Sequence, residues 1–251
     1  ERAMKKFNFS EDDLPYFRTL HSLAFRTLGI KKDQVMQKRH YEDLGRKENL
    51  FLDYNDYDEE ETGLFTTKSD YLRIINLAKL RNISIDRQYN MKEHNQDVEY
   101  GTLIHLANEL ERYKKEYNLI DYNDMILKFI QKDMSPNFDV VFIDEAQDLS
   151  LMQWSMVKNI WEKTVDSYIA GDDDQAIFRW AGADVDSFIA QEGKPLHLKE
   201  SKRVPRKIHE LANDIIGRVN NRIDKSWNPK KHEGRLTPYD NFEDVDMSSG
   251  K

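Results

Sequence analysis

Residues 138–183 read FDVVFIDEAQDLSLMQWSMVKNIWEKTVDSYIAGDDDQAIFRWAGA. The run 140–143 is apolar, β-branched and aromatic, the pattern of a strand covered on both faces in a parallel sheet. It stops at Asp144-Glu145. Met152, Met156, Val157, Ile160 and Trp161 follow at spacings of three and four, which place them on one helix face, with Ser150 as the N-cap. A second strand over 168–170 stops at the acidic turn Gly171-Asp172-Asp173-Asp174-Gln175. Strand, helix and strand in so short a span define a βαβ unit with a right-handed crossover. The acids then fall beyond the carboxyl ends of both strands, the edge where open α/β sheets bind ligands.

That edge suits phosphate and metal chemistry. A fixed aspartate is a hard oxygen ligand matched to Mg²⁺, which keeps waters and binds substrate phosphates. A neighbouring glutamate can orient or deprotonate an attacking water. A glutamine on the adjacent strand end can hydrogen-bond a terminal phosphate. The plainer alternative makes Asp144 and Glu145 a helix cap and Asp172, Asp173 and Asp174 a solvated turn.

Outward from this unit, NLIDYNDMILKF (118–129) reads as a helix running to about Lys132. Asp121 and Asp124 serve as its N-cap and first-turn acid rather than as metal ligands. Residues 31–116 form a charged, α-helical insertion, with helical spacing over 71–81 and 98–117, an acidic run at 53–61 and a polar loop at 83–96. It is expected to pack beside the sheet. FRTLHSLAFRTLGI (17–30) has a helical period closed by Gly29. After the central unit, LHLKESKRVPRKIHELAN (196–213) carries a basic cluster at 199–207, and a strand is expected after Gly234.

The 251 residues suffice for one large domain or two smaller ones. A net charge of −8 argues against a coat of nucleic acid but leaves room for a local basic groove. With no cysteine there is neither a disulfide framework nor a thiolate metal site. No apolar run reaches a membrane span and the first residues lack a signal-peptide core. The expectation is a soluble, cytoplasmic protein without a membrane partner.

DEAQD (144–148) and GDDDQAIFRWAGAD (171–184) together resemble the Walker B motif and the following motif of UvrD/PcrA/Rep-type superfamily 1 DNA helicases, in that family's order and spacing. TLHSLAFRTL resembles its motif Ib, NLIDYNDMILKF its "DFDDLL" segment, and 196–213 its motif IV. The resemblance implies an α/β fold: a partial RecA-like parallel sheet of the P-loop NTPase type (1–30 and 117–194), a helical insertion (31–116) and the beginning of a second RecA-like domain (195–251). It implies ATP and Mg²⁺ as cofactors and single-stranded DNA and single/double-strand junctions as partners. Asp144 would hold Mg²⁺ and Glu145 would direct water. Gln175 would sense the γ-phosphate, and Arg203 would reach it from the second domain. Thr19 and His21 would touch DNA phosphates, and Phe178, Arg179 and Trp180 would face single-stranded DNA.

The sequence departs from the family at three places. Ser201 and Lys202 stand where motif IV has asparagine and tyrosine, and Ala181 stands where the pattern RWRGA has a second arginine. No G-x-x-x-x-G-K-[ST] occurs. The resemblance places that loop before residue 1, so the chain alone is expected not to hydrolyse ATP. The rival readings are a metal-dependent nuclease using Asp144, Glu145 and Asp172 to Asp174, and a non-catalytic, helicase-derived DNA-binding module.

Overall fold

The computed structural model describes residues 6, 8–10, 13–54, 67–95 and 97–244. Most of the acidic run at 53–61 lies outside them. The chain forms two compact units, residues 1–188 and 189–251.

The first unit begins with helices α1 (Leu20–Thr27), α2 (Lys38–Glu48), α3 (Asp70–Leu80), α4 (Ile85–Asn90), α5 (Tyr100–Glu116) and α6 (Tyr122–Gln131). Strand β1 (Phe138–Ile143), helix α7 (Leu151–Trp161), strand β2 (Thr164–Ile169) and the short helix α8 (Val185–Ile189) follow. Side chains that choose their own caps set several boundaries. Thr19, Ser69, Ser84, Asp121 and Ser150 each accept a backbone N–H at a helix start. Ser150 shares a capping box with Gln153. The segment 83–96 is therefore not all loop: Ser84 starts α4 within it.

Two apolar clusters fill this unit. Leu44, Leu72, Ile74, Leu103, Leu106 and Leu110 join α2, α3 and α5 in a helical core. Ala24, Met125, Ile126, Phe129, Met152 and Met156 join α1, α6 and α7 beneath the sheet. Between residues 31 and 116 the described residues form no strand of the sheet, only an isolated parallel bridge from Val35 to Ile120.

β1 and β2 pair in parallel, Val140 beside Asp166 and Ile143 beside Ile169. Helix α7 packs on the face carrying Ile143 and Ile169. The other face corrects the expectation of a strand covered on both sides. Phe142 is 74% exposed, and its ring stacks on the exposed Tyr168 at 4.9 Å. The apolar run needs two covers, and the described residues provide one.

The second unit holds β3 (Glu200–Pro205), α9 (Arg206–Ile216) and β4 (Asn228–Lys230), the strands again parallel. The basic cluster 199–207 thus spans β3 and the first turn of α9. No strand follows Gly234 among the described residues, in contrast to the expectation; the segment that pairs with β3 is β4, before it. His232 and Glu233 offer their carbonyls to the N–H groups of Arg206 and Lys207.

Candidate nucleotide and nucleic-acid site

The ladder continues past the ends of both strands. Ala170 N–H donates to the Ile143 carbonyl (2.7 Å), and Ala146 N–H donates to the Ala170 carbonyl (3.0 Å). This lock turns the chain sharply after Ile143. Glu145 takes φ +52°, a left-handed conformation that costs a residue with a Cβ on the order of 1–2 kcal/mol. The exposed carboxylates of Asp144 and Glu145 stand at this turn, and Asp144 Oδ1 accepts the Glu145 N–H at 3.1 Å. Neither caps α7, since Ser150 does. Asp144 Oδ2 has no hydrogen-bond partner among the described residues, which leaves a hard oxygen suited to Mg²⁺.

Gln147, which the sequence reading passed over, joins the two strand ends. Its side chain is buried (2% exposed). Nε2 donates to Glu145 Oε2 (2.8 Å) and Asp148 Oδ2 (3.2 Å), while Oε1 accepts the Asp172 N–H (3.0 Å). Gly171 lies against this amide. A Cβ there would come within 2.7 Å of Gln147 Oε1 and 2.9 Å of the Phe188 ring. The available signal was a polar residue amid a tightly turned, apolar-flanked segment, which must find partners when buried. Asp148 Oδ1 is buried without a partner. Burial pushes the Asp148 carboxyl up from its ordinary pKa, and the Glu145 carboxylate adds to this, against the Gln147 bond.

Beyond β2, Asp172 organises the turn. Its Oδ1 accepts the Asp174 N–H (3.2 Å), and its Oδ2 accepts Gln175 Nε2 (2.6 Å). The exposed Gln175 is thereby held on the same edge as Glu145. The turn comes back onto the sheet unit at an antiparallel bridge between Ser150 and Ala183, with Asp184 N–H donating to the Leu149 carbonyl (2.8 Å). Between these anchors stand the half-buried Phe178, the exposed Arg179 and Trp180, which is 58% exposed. The Phe178 and Trp180 rings are 6.5 Å apart, and Arg179 Nη2 donates to Asp186 Oδ1 at 2.9 Å.

Thr19 is exposed and its hydroxyl caps α1, accepting the Ser22 N–H. His21 is different. Its imidazole is buried edge-on to Tyr122, with Nε2 unpartnered. Burial, outweighing the attraction of Asp121, lowers its pKa to about 4. A neutral, enclosed ring does not offer a phosphate contact, which corrects the expectation for His21. Arg203 is exposed on β3 of the second unit, where its N–H donates to Ser201 Oγ.

The carboxylates named for a nuclease do not converge. Among the described residues, the group of three acids whose oxygens lie within 4.8 Å of one another is Glu111, Asp121 and Asp124. The ammonium groups of Lys79 and Lys114 already bond all three. No described helix is long and apolar enough to cross a membrane.

A parallel strand pair with acids and a tethered glutamine at its carboxyl edge, and aromatic residues on the turn beyond, defines an α/β protein with an acidic strand edge. Residues 1–195 match the family model of the UvrD/REP helicase N-terminal domain, and the chain belongs to that family. It is 30% identical over 126 residues to the ATP-dependent DNA helicase PcrA of Bacillus subtilis, covering 48% of this chain and 16% of that protein. It is 22% identical over 247 residues to the PcrA of Staphylococcus epidermidis, covering 92% and 33%. The ATP-dependent DNA helicase srs2 of Schizosaccharomyces pombe is 33% identical over 132 residues, covering 49% and 15%. The chain thus spans a third or less of these relatives' length.

Proposed function

We propose that this chain is part of an ATP-dependent DNA helicase that couples nucleotide hydrolysis to movement along single-stranded DNA and to duplex unwinding, working in the cytoplasm. In this reading β1 and β2 belong to a RecA-like sheet of the P-loop NTPase type, residues 195–251 begin a second such domain, and 31–116 are its helical insertion. The observation that carries the reading is the Gln147 amide, which ties Glu145 to the backbone of Asp172. Through it the acidic pair is hydrogen-bonded to the start of the turn that carries Phe178, Arg179 and Trp180, which supports a link between a nucleotide site and a DNA contact.

Asp144 would hold Mg²⁺, and the metal with ATP would supply the electrophilic phosphate. Glu145, held by Gln147, orients or deprotonates the attacking water. Gln175 addresses the terminal phosphate from the β2 edge. Arg203 addresses it with a fork suited to phosphate oxygens. Thr19, Phe178, Arg179 and Trp180 form the DNA-facing set, and His21 contributes by packing α1 beneath Thr19. Stacking on aromatic rings tolerates any base, which suits a translocating protein.

Phosphate release measured with and without single-stranded DNA, in the protein its gene encodes, tests the reading. DNA-stimulated, Mg²⁺-dependent turnover is expected. Metal-dependent DNA cleavage without ATP would replace it with the nuclease reading. The 251-residue chain alone lacks the phosphate-binding loop and is expected to show no turnover.

A further inference from the structure

Gln147 makes three hydrogen bonds, and together they allow one orientation of its amide. Oε1 accepts the Asp172 N–H at 3.0 Å, so that end of the amide must be the oxygen. Nε2 then faces two carboxylates, Glu145 Oε2 at 2.8 Å and Asp148 Oδ2 at 3.2 Å, with one hydrogen for each. A flipped amide would set donor against donor at Asp172 and oxygen against carboxylate at Glu145. Gln147 is buried, so these partners are what satisfy it.

The strand ends do not need this amide in order to meet. Ala170 N–H donates to the Ile143 carbonyl, Ala146 N–H donates to the Ala170 carbonyl, and β1 and β2 are paired as far as Ile143 and Ile169. What the amide adds is a hold on Glu145. It occupies Oε2, while Oε1 has no hydrogen-bond partner among the described residues. One oxygen of the carboxylate is anchored and the other is left for a ligand.

Gly171 provides the clearance. It is not among the glycines of positive φ, so its backbone conformation does not itself call for glycine. The space around it does. A Cβ would stand 2.7 Å from Gln147 Oε1 and 2.9 Å from two carbons of the Phe188 ring. Phe188 packs on the cluster of Ala146, Trp154 and Val157, which leaves the amide as the group that gives. We propose that Gln147 and Gly171 are a positioning pair for Glu145: the amide fixes which oxygen of the carboxylate meets the attacking water, and the glycine lets the amide reach it. This rests on the reading that Glu145 directs water toward ATP, and both residues act through Glu145.

Steady-state phosphate release with single-stranded DNA, by the protein its gene encodes, tests it. Gln147→Met keeps the length of the side chain and loses the donors. Its kcat falls by up to about 10²-fold, the cost of misplacing a reacting group by about 1 Å, while KM for ATP stays near wild type. Gly171→Ala, which keeps every bonding group, shows the same split. Adding Gln147→Met to Glu145→Gln lowers kcat no further than Glu145→Gln alone, because groups that act as one unit are not additive. A residue that only supports the fold would lower it again. Circular dichroism and melting follow the folding of each variant, and if Gln147→Met does not fold, Gly171→Ala takes its place in the double variant. Wild-type kcat in the single variant, or losses that multiply in the double one, overturns the positioning pair alone. A wild-type protein without DNA-stimulated turnover overturns the reading of Glu145 and the pair with it.

Discussion

Two acidic clusters in the first unit use the same residue types to opposite ends. At the base of α5 and α6, the enclosed Asp121 and Asp124 and the more exposed Glu111 surround the ammonium groups of Lys79 and Lys114. Burial alone would raise the Asp121 carboxyl, but the two lysines overcome it and hold it well below its usual pKa. Burial likewise opposes the charge on Lys79, and Asp121, Asp124 and Glu111 hold its pKa well above the usual value. At the end of β1, Asp144 and Glu145 are exposed beside a third acid, Asp148, and no ammonium group among the described residues bonds them. Acids that fold with their own cations are structure, and acids left facing solvent at a sheet edge are available to a ligand. Charge compensation, more than acidity, separates the two.

The sharpest way to break this contrast is to remove a cation from the closed cluster. Lys114→Met leaves three carboxylates to Lys79 alone and should cost about 3–5 kcal/mol of stability by urea denaturation. Asp144→Asn, at the open cluster, should change stability by no more than about 0.5 kcal/mol. Similar losses for both would erase the distinction.

pH separates the regions next. Asp121 has its pKa lowered by folding, so its contribution is present above the unfolded carboxylate range and is lost as pH falls below it. Lys79 and Lys114 have theirs raised, so their contribution is present below the unfolded lysine range and is lost at higher pH. The closed cluster therefore holds between about pH 4 and pH 10. His21, nearby, titrates inside that window. Its folded pKa is lowered to about 4, so the fold favours the neutral ring. Stability should fall as pH drops from the unfolded histidine range toward 4, by about 3 kcal/mol. His21→Leu should remove most of that loss in denaturation curves recorded at pH 7 and pH 4, and an unchanged loss would place the acid sensitivity elsewhere.

The smallest effect belongs to the open cluster. Because folding raises the Asp148 pKa, the fold disfavours its ionised form, and the penalty is present above the folded pKa. Asp148→Asn should raise the melting temperature slightly at pH 7 and have no effect near pH 3. A lowered melting temperature at pH 7 would mean that the charge on Asp148 is compensated.

Local order was legible in the sequence. Ser150 before a run of apolar residues at helical spacing gave α7 its start, and Asp121 caps α6 as its position before a helical run predicts. Pairings between distant residues were not. Lys79 meets Asp121 and Asp124 across 42 and 45 residues, so nothing local marked Lys79 as a partner of these acids. The burial of His21 depends on Tyr122, brought in by α6, so the residue read as a surface contact from its neighbours alone. Gln147 lay in full view inside DEAQD, but its role follows from the approach of β2, which only the parallel pairing creates. The position of the acids at the strand ends could be read from hydrophobic runs, whereas the amide joining those ends could not.

The most direct test of the central claim, that the open acidic pair serves nucleotide chemistry, is Glu145→Gln in the protein its gene encodes. ATP binding and phosphate release are measured with and without single-stranded DNA. Asp144 and the shape of the edge persist in the variant, so nucleotide binding should remain while DNA-stimulated turnover falls by about 10²-fold or more, as expected when a positioned general base is lost. Wild-type turnover by Glu145→Gln would contradict the account.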